Sequence, residues 1–507
     1  MGRVRPEVLV LALLAAVIAV ARLHTYHEPL QTDVTGAAVL AREMLGGRAL
    51  YADLWDHKPP AFHASYVAAV ALLGCGPAAV YALGVLAAVA TLVGVYAAGA
   101  PLSRTAGLWA AAFWTAASGD VWLEANQPDA EVFVNAGVVW AFALLVRAGA
   151  GAGAGRFLAI GAFFALASLY KQVVIAPAAL LALAHVAWPP EGRSRRRALA
   201  DVAAIALVGA AAWAATLGYF AAVGRLDAFW ESVVVYNRFY TRNRLAFVGR
   251  AFDVYHAALE PGLRTLVLLG LPAAVGGLLA PLAIPRRPRA LWLALLLATP
   301  VAIGLHGQFF PHYFQLWFPV LVIGAGWAVA VLVRLARERL ALVPHVLAGT
   351  VLVLLLAHAL PLYQLSADDW SVVKYGPLFV EERKLGREID ALLRPGETFY
   401  VWGSEVGLYY VSGRRLPSGA YSVWPIVDGP SAARLTRRAV ADLRREQPEL
   451  FVVSNWTQIW IKGRHPVLDW LAAHYRPFAG QDQRSPFTVH VRRGGRLERE
   501  AGRADAR

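Results

Sequence analysis

Charge is scarce in this chain of 507 residues, and cysteine is scarcer still. Charged side chains make up 16% of the residues, against roughly 25% in soluble domains, while 58% are hydrophobic. Apolar runs recur from the N-terminus to about Tyr363, too many for one water-soluble core, so the composition indicates a polytopic membrane protein. The single cysteine, Cys75, excludes an intrachain disulfide and leaves the redox compartment open. There is no internal repeat. His306 and His312 do not have tight metal-ligand spacing.

What is abundant is basic charge, with a net +14, and its placement sets a topology. Three arginine-rich loops, around Arg193–Arg197, Arg286–Arg289 and Arg334–Arg339, belong on the cytoplasmic side. The apolar segments between them (about 199–223, 264–283, 290–305 and 314–333) pair off as crossings out and back. The run Phe157–Trp188 is 32 residues, about 48 Å as one helix. It keeps both flanking basic loops inside only as two short helices meeting at Tyr170-Lys171-Gln172. Spans at about 132–146, 105–119 and 78–99 then place Asp120–Glu131 and Pro77 outside.

The N-terminus, "MGRVRPEVLVLALLAAVIAVARLH", reads as a first span entering from the cytoplasm. A cleaved signal peptide ending near Ala19-Val20-Ala21 is the alternative. Either way Pro60 is outside, so the 14-residue segment Ala61–Gly74 cannot cross and reads as a re-entrant helix. The expectation is eleven spans in residues 1–365, with the N-terminus cytoplasmic, followed by a soluble extracytoplasmic α/β domain over 366–507. There "YVWGSEVGLYYVSG" and "ELFVVSN" read as strands and Ala432–Arg445 as an amphipathic helix. The chain is expected in the cell membrane.

Threaded this way, polar residues gather on the outer face. Asp33, Asp53, Asp56, His57 and Lys58 lie in the first outer loop, and Glu124, Asp129 and Glu131 in the second. Lys171 marks the third, Arg238, Arg242, Arg244 and Arg250 the fourth, and His306, Gln308, His312 and Gln315 the fifth. Ionisable residues at membrane depth are costly and usually functional. Each has a plainer reading. Asp33 can N-cap a helix Val34–Leu45, and Asp129 the helix after Pro128. Lys58 can be an interfacial anchor, the two histidines can be interface residues, and "YNRFYTRNRLAF" can bind anionic headgroups in general rather than one phosphate.

The stretch "TDVTGAAVLAREMLGGRALYADLWDHKPPAFH" resembles the first outer loop of the polyprenyl-phosphate-sugar glycosyltransferases of the GT-C fold. That group includes the bacterial glycosyltransferase family 39 proteins, the protein O-mannosyltransferases and the lipid A aminoarabinose transferases. The matching residues are Asp33, Gly47, Tyr51, Asp53, Trp55, Lys58, Pro59 and Pro60. "NQPDAEVF", "SLYKQ" and "FFPHYFQLWFP" resemble later patterns, so the resemblance covers about Arg22–Pro319. It implies an inverting transfer at the outer face, with Asp33 as general base and Lys58 on the donor phosphate. The pattern departs at His57, where aminoarabinose transferases carry an acidic residue, which removes a carboxylate ligand from any metal site there.

The residues support such chemistry independently. A hydroxyl attacking an anomeric carbon needs a base, for which Asp33 and Asp129 are candidates. A leaving lipid phosphate needs cations, for which Lys58, Arg238, Arg242 and Lys171 are candidates. His57, Glu124, Glu131, His306 and His312 are possible accessory groups. The sequence names no cofactor; a divalent metal is compatible with these residues and not required by them. The expected partners are a polyprenyl-phosphate sugar, membrane lipids and a glycan, lipid or protein acceptor, without nucleic acid. The rival classes are a transporter of a lipid-linked sugar, for which polar sites near the midplane of related halves are missing, and a polysaccharide receptor, which leaves the first-loop cluster without a use.

Overall fold

The computed structural model of the chain describes residues 5–242, 256–336, 338–478 and 485–504. Arg244 and Arg250 lie outside the described residues. Helix α1 (Pro6–Leu23) leads into two helices of 14 residues, α2 (Thr32–Leu45) and α3 (Pro60–Leu73). There follow α4 (Pro77–Gly99), α5 (Arg104–Ala117), α6 (Ala130–Val146), α7 (Ala154–Tyr170), α8 (Ile175–Ala187) and α9 (Arg195–Ala222). Short helices α10 (Leu226–Trp230) and α11 (Tyr236–Tyr240) flank a π-helical stretch, Glu231–Val235. Long helices resume with α12 (His256–Ala283), α13 (Arg286–His306), α14 (Trp317–Leu335) and α15 (Val343–Ala359).

Each of the eleven expected crossings coincides with one of these helices. Seven segments, Pro6–Leu23, Pro77–Gly99, Arg195–Ala222, Glu260–Ala283, Arg286–His306, Pro311–Leu335 and Glu338–Gln364, are long and apolar enough to cross a membrane. Outward-facing Leu9, Leu13, Leu207, Leu278 and Leu347 on them are exposed, a distribution suited to lipid rather than water. The chain is a multi-pass membrane protein.

The local breaks have local causes. Pro60 and Pro77 each occupy a first helical turn, where a missing N–H costs nothing, and Gly74 between them sits at φ +80°. Lys171 is extended and separates α7 from a single 3₁₀ turn, Gln172–Val174, that enters α8. Phe157–Trp188 is therefore two helices, as charge placement requires.

Residues 367–504 carry helices α16 (Ala367–Tyr375) and α17 (Leu378–Leu392) and a four-stranded sheet with α18 (Gly407–Ser412), α19 (Trp424–Val427), α20 (Ala432–Glu446), α21 (Asn455–Gln458), α22 (Pro466–His474) and α23 (Arg496–Ala504) around it. The strands β1 (Phe399–Trp402), β2 (Leu450–Ser454), β3 (Tyr475–Pro477) and β4 (Phe487–Arg492) lie in the order β1-β2-β4-β3. β1 and β2 are parallel, with Phe399 opposite Leu450, and the other pairings are antiparallel.

Two expectations need correction. Only the first part of "YVWGSEVGLYYVSG" is strand. Gly407–Ser412 is helix, because Leu408 N–H donates to the buried Glu382 carboxylate (3.1 Å) and Ser412 donates back to Leu408 O (2.6 Å). Helix α2 begins at Thr32, and its N-cap is Gln31, whose side chain accepts from Asp33 N–H (2.8 Å). Asp33 is thus inside the first turn and does not cap.

The sheet and the segment between α1 and α3 share cores. Val39, Leu40 and Leu54 pack with Phe399, Leu408 and Val452. Trp55 and Tyr236 pack with Trp402, Leu435 and Phe451. Arg42 on α2 donates to Tyr409 O and Arg414 O, and Trp55 N–H donates to Gly419 O (3.1 Å). A fully buried ion pair, Glu28–Lys374, ties α16 to the loop after α1. These contacts hold residues 367–504 against these loops, with a cavity between them.

Candidate active site

The first-loop pattern acquires a physical reading residue by residue. Gly47 turns the chain at φ +92°, where a side chain would be strained. Asp53 accepts from Ala49 N–H (2.8 Å), closing the turn. Tyr51 is buried against Phe220 and Phe229 and donates to Lys58 O (2.7 Å). Asp56 accepts from Lys58 N–H (2.8 Å) and from the Tyr421 hydroxyl (3.1 Å). Pro59 and Pro60 then fix the entry into α3. The backbone at Lys58 is therefore held on both sides, and its side chain has one place to go.

That place is Asp33, whose Oδ1 lies 2.9 Å from Lys58 Nζ. Burial disfavours charge on Asp33, but the adjacent ammonium more than offsets it, so the Asp33 carboxyl stays below its ordinary range. Burial likewise opposes charge on Lys58, and Asp33 and Asp56 outweigh it, so the Lys58 pKa is raised. His57 is pushed down to about 4 by burial and by Lys58, so its imidazole is neutral. Both members of the Asp33–Lys58 pair are charged at neutral pH, and Lys58 retains N–H groups for a further anion.

The pair lines a cavity of about 920 Å³. Its wall also carries His57, Glu124, Lys171, Arg238, His306 and His312. From residues beyond 366 it carries Lys374, Tyr375, Ser404, Ser422 and Trp424. Of the candidates from the sequence, Asp129, Glu131 and Arg242 do not line it. Asp129 is buried just behind, where its carboxylate accepts from the side chain of Gln31. Glu131 pairs with Lys171 and stands 3.3 Å from His306 Nε2. Arg242 reaches Asp428 (3.6 Å) and stacks on Phe239. The two histidines are buried in the site: His306 stacks on Tyr313, and His312 Nδ1 is 3.6 Å from Glu124.

Asp129 is electrostatically unlike Asp33. Burial, reinforced by the nearby Asp33, Glu131 and Glu124 charges and only partly opposed by His312, pushes its carboxyl up to about 7. One donor atom each from Glu124, Asp129 and His312 lies within 4.8 Å of the others, a spacing that three ligands of one cation would have. The first-loop departure at His57 does not enter this cluster.

The overall architecture has counterparts among solved structures. The ArnT of Cupriavidus metallidurans bound to undecaprenyl phosphate superposes with a TM-score of 0.60 at 16% identity, over 96% of this chain and 97% of that one. The Archaeoglobus fulgidus oligosaccharyltransferase in its apo form gives 0.54 at 15% identity, over 93% and 73%. The oligosaccharyltransferase AglB from Archaeoglobus fulgidus in complex with an inhibitory peptide and a dolichol-phosphate gives 0.50 at 14% identity, over 96% and 74%. The fold is GT-C. No family model and no curated protein sequence matches the chain.

Sequence reasoning assigned no role to Asp56 and did not find Tyr421, Tyr375 or Lys374. Asp56 lies in the first loop but is not one of the residues that match the pattern, and its partner Tyr421 is 365 positions away. Tyr375 donates to Glu124 (2.9 Å) from a segment whose sequence carries no motif.

Proposed function

We propose that the chain is an inverting glycosyltransferase that moves a sugar from a polyprenyl-phosphate donor to a lipid, glycan or protein hydroxyl at the outer face of the membrane. The observation that carries this reading is the Asp33–Lys58 pair set in the wall of a large cavity that adjoins membrane-crossing helices. In the step proposed, the acceptor oxygen attacks the anomeric carbon as the bond from that carbon to the phosphate oxygen breaks. Asp33 takes the hydroxyl proton, and the polyprenyl phosphate leaves with the bonding pair. Lys58, with Arg238 and Lys171 on the same wall, stabilises the charge that develops on the phosphate. The fold counterparts with bound undecaprenyl phosphate and dolichol-phosphate support a lipid-phosphate donor. A transporter would leave the donor bond intact. Mass spectrometry of surface glycans and glycoproteins from a deletion strain tests the reading in the cell: one sugar unit is lost from one acceptor class, whereas an unchanged glycan profile would oppose it.

Within this reading residues 1–365 bind donor and carry the chemistry, and residues 366–507 roof the cavity on the extracytoplasmic side. The proposed topology has α3 re-entering from the outer face. A cysteine near Gly74 and one near Asp120, in a chain lacking Cys75, both react with an impermeant thiol reagent applied outside, and one near Arg195 does not. Protection of the Gly74 position would overturn the re-entrant assignment.

Asp129 supplies a pH signature. Its carboxyl, at about 7, is protonated below neutrality and ionised above. Ionised Asp129 adds negative charge near Asp33 and increases its basicity. The expected kcat/KM of the native enzyme therefore rises with pH through an inflection near 7, and Asp129→Asn flattens that inflection while the acid limb of Asp33 remains. An inflection of the same size in Asp129→Asn would assign it to another group.

A further inference from the structure

The segment Asn455–Arg464 takes no part in the chemistry above, yet its shape is well determined. Ser454 and Thr457 both donate to the buried Glu405 carboxylate (2.8 and 2.9 Å), and the Trp402 indole donates to Gln458 (2.7 Å). Ile461 packs into the core beside it. With these inward contacts made, Trp456, Ile459 and Trp460 project outward at 57%, 67% and 64% exposure. Among the described residues of 367–504, the other exposed large apolar side chains are Val372, Val373 and Trp424, each less than half exposed. The basic residues Lys462 and Arg464 follow at once, and Arg464 makes a surface pair with Asp469 (3.2 Å).

The position of this projection is informative. The core that receives Ile461 also contains Trp55 and Tyr236, with Phe239 and Tyr240 packed on it. The start of α20 is bonded to Glu231 through Ser431 (2.6 Å) and Arg434 (2.9 Å), and Thr436 on the same helix touches His465 (3.2 Å). Glu231 belongs to the stretch 226–240 that follows α9, a helix long enough to cross a membrane, after the turn Val223–Arg225, and that stretch carries the exposed Trp230. The loop is thus tied by short steps to the end of a membrane-crossing helix.

We infer that Trp456, Ile459 and Trp460, flanked by Lys462 and Arg464, seat in the headgroup layer of the bilayer that holds the chain, with anionic lipid the favoured contact. Indole rings prefer the interface, where the ring is apolar and its N–H remains wet. Lysine and arginine there are attracted by anionic lipid. An isoleucine between two tryptophans suits acyl chains better than a sugar ring, which stacks on aromatics alone. Seated in this way, the loop holds the roof of the cavity at a fixed height above the membrane. The inference does not depend on the transferase reading.

The test uses the full chain in nanodiscs of mixed phosphatidylcholine and phosphatidylglycerol, with Cys75→Ala and Ile459→Cys carrying a bimane label. The expected result is blue-shifted emission, quenching by lipids with a nitroxide near the headgroup, and shielding from iodide. Adding Trp456→Ser and Trp460→Ser reduces the lipid quenching. Water-like emission with free access to iodide and no lipid quenching overturns the inference. Shielding produced only by soluble oligosaccharide also overturns it and makes the loop a sugar platform.

Discussion

Asp33→Asn is expected to abolish transfer in a protein that folds and inserts normally. The amide keeps the size of the side chain and an oxygen that can accept from Lys58, and the backbone N–H of residue 33 still donates to Gln31. What is lost is the acceptor for the hydroxyl proton. General-base catalysis contributes about 10²- to 10⁴-fold, so kcat falls by about that factor while donor binding changes little. The Lys58 ammonium holds the Asp33 carboxyl below its ordinary range, so the activity that remains below the Asp129 inflection persists until Asp33 is protonated. Steady-state assays in detergent with a short-chain polyprenyl-phosphate sugar, run beside a thermal-shift measurement, separate the two effects. Turnover close to the native value in Asp33→Asn would leave Asp33 as a partner of Lys58 only.

Lys58→Ala is the second large effect. Lys58 neutralises Asp33 and faces the cavity, so its removal acts on both donor and base. The phosphate loses a cation placed where charge develops, a loss of about 10²- to 10³-fold in kcat when such contacts tighten in the transition state. If the contact is equally strong in the bound donor, the loss appears in KM instead. Lys58→Arg restores part of the activity, because it keeps the charge and changes the geometry. Removal also leaves Asp33 and Asp56 with less neutralisation, so some loss of thermal stability accompanies it. Unchanged kinetics with lowered stability would assign Lys58 to anchoring and move phosphate binding to Arg238 and Lys171.

The parts of this site that were legible in the sequence are those encoded within one loop. Asp33 and Lys58 are 25 positions apart and meet because α2 and the turn at Gly47 fold the chain back over a short distance. The break at Lys171 was legible because charge placement forbids a single helix there. The capping reading of Asp33 failed because Gln, a weaker capping type, occupies the position two residues earlier and takes the backbone donor itself. The reading of Gly407–Ser412 as strand failed because local β-propensity was outweighed by a buried carboxylate, Glu382, from another helix. Tyr421 on Asp56 and Lys374 on Glu28 are contacts between distant segments, and no local pattern encodes them. The gathering of His306 and Glu131 behind Lys171 likewise depends on how α6 and α13 pack.

The most direct measurement follows the donor bond itself. The purified protein in liposomes is given a synthetic polyprenyl-phosphate sugar labelled in both sugar and phosphate, together with an extract containing the membrane and glycan acceptors. The account predicts stoichiometric release of unglycosylated polyprenyl phosphate and a product whose anomeric configuration is opposite to that of the donor, both absent with Asp33→Asn. Movement of intact labelled donor across the bilayer, with its sugar–phosphate bond unbroken, would contradict it.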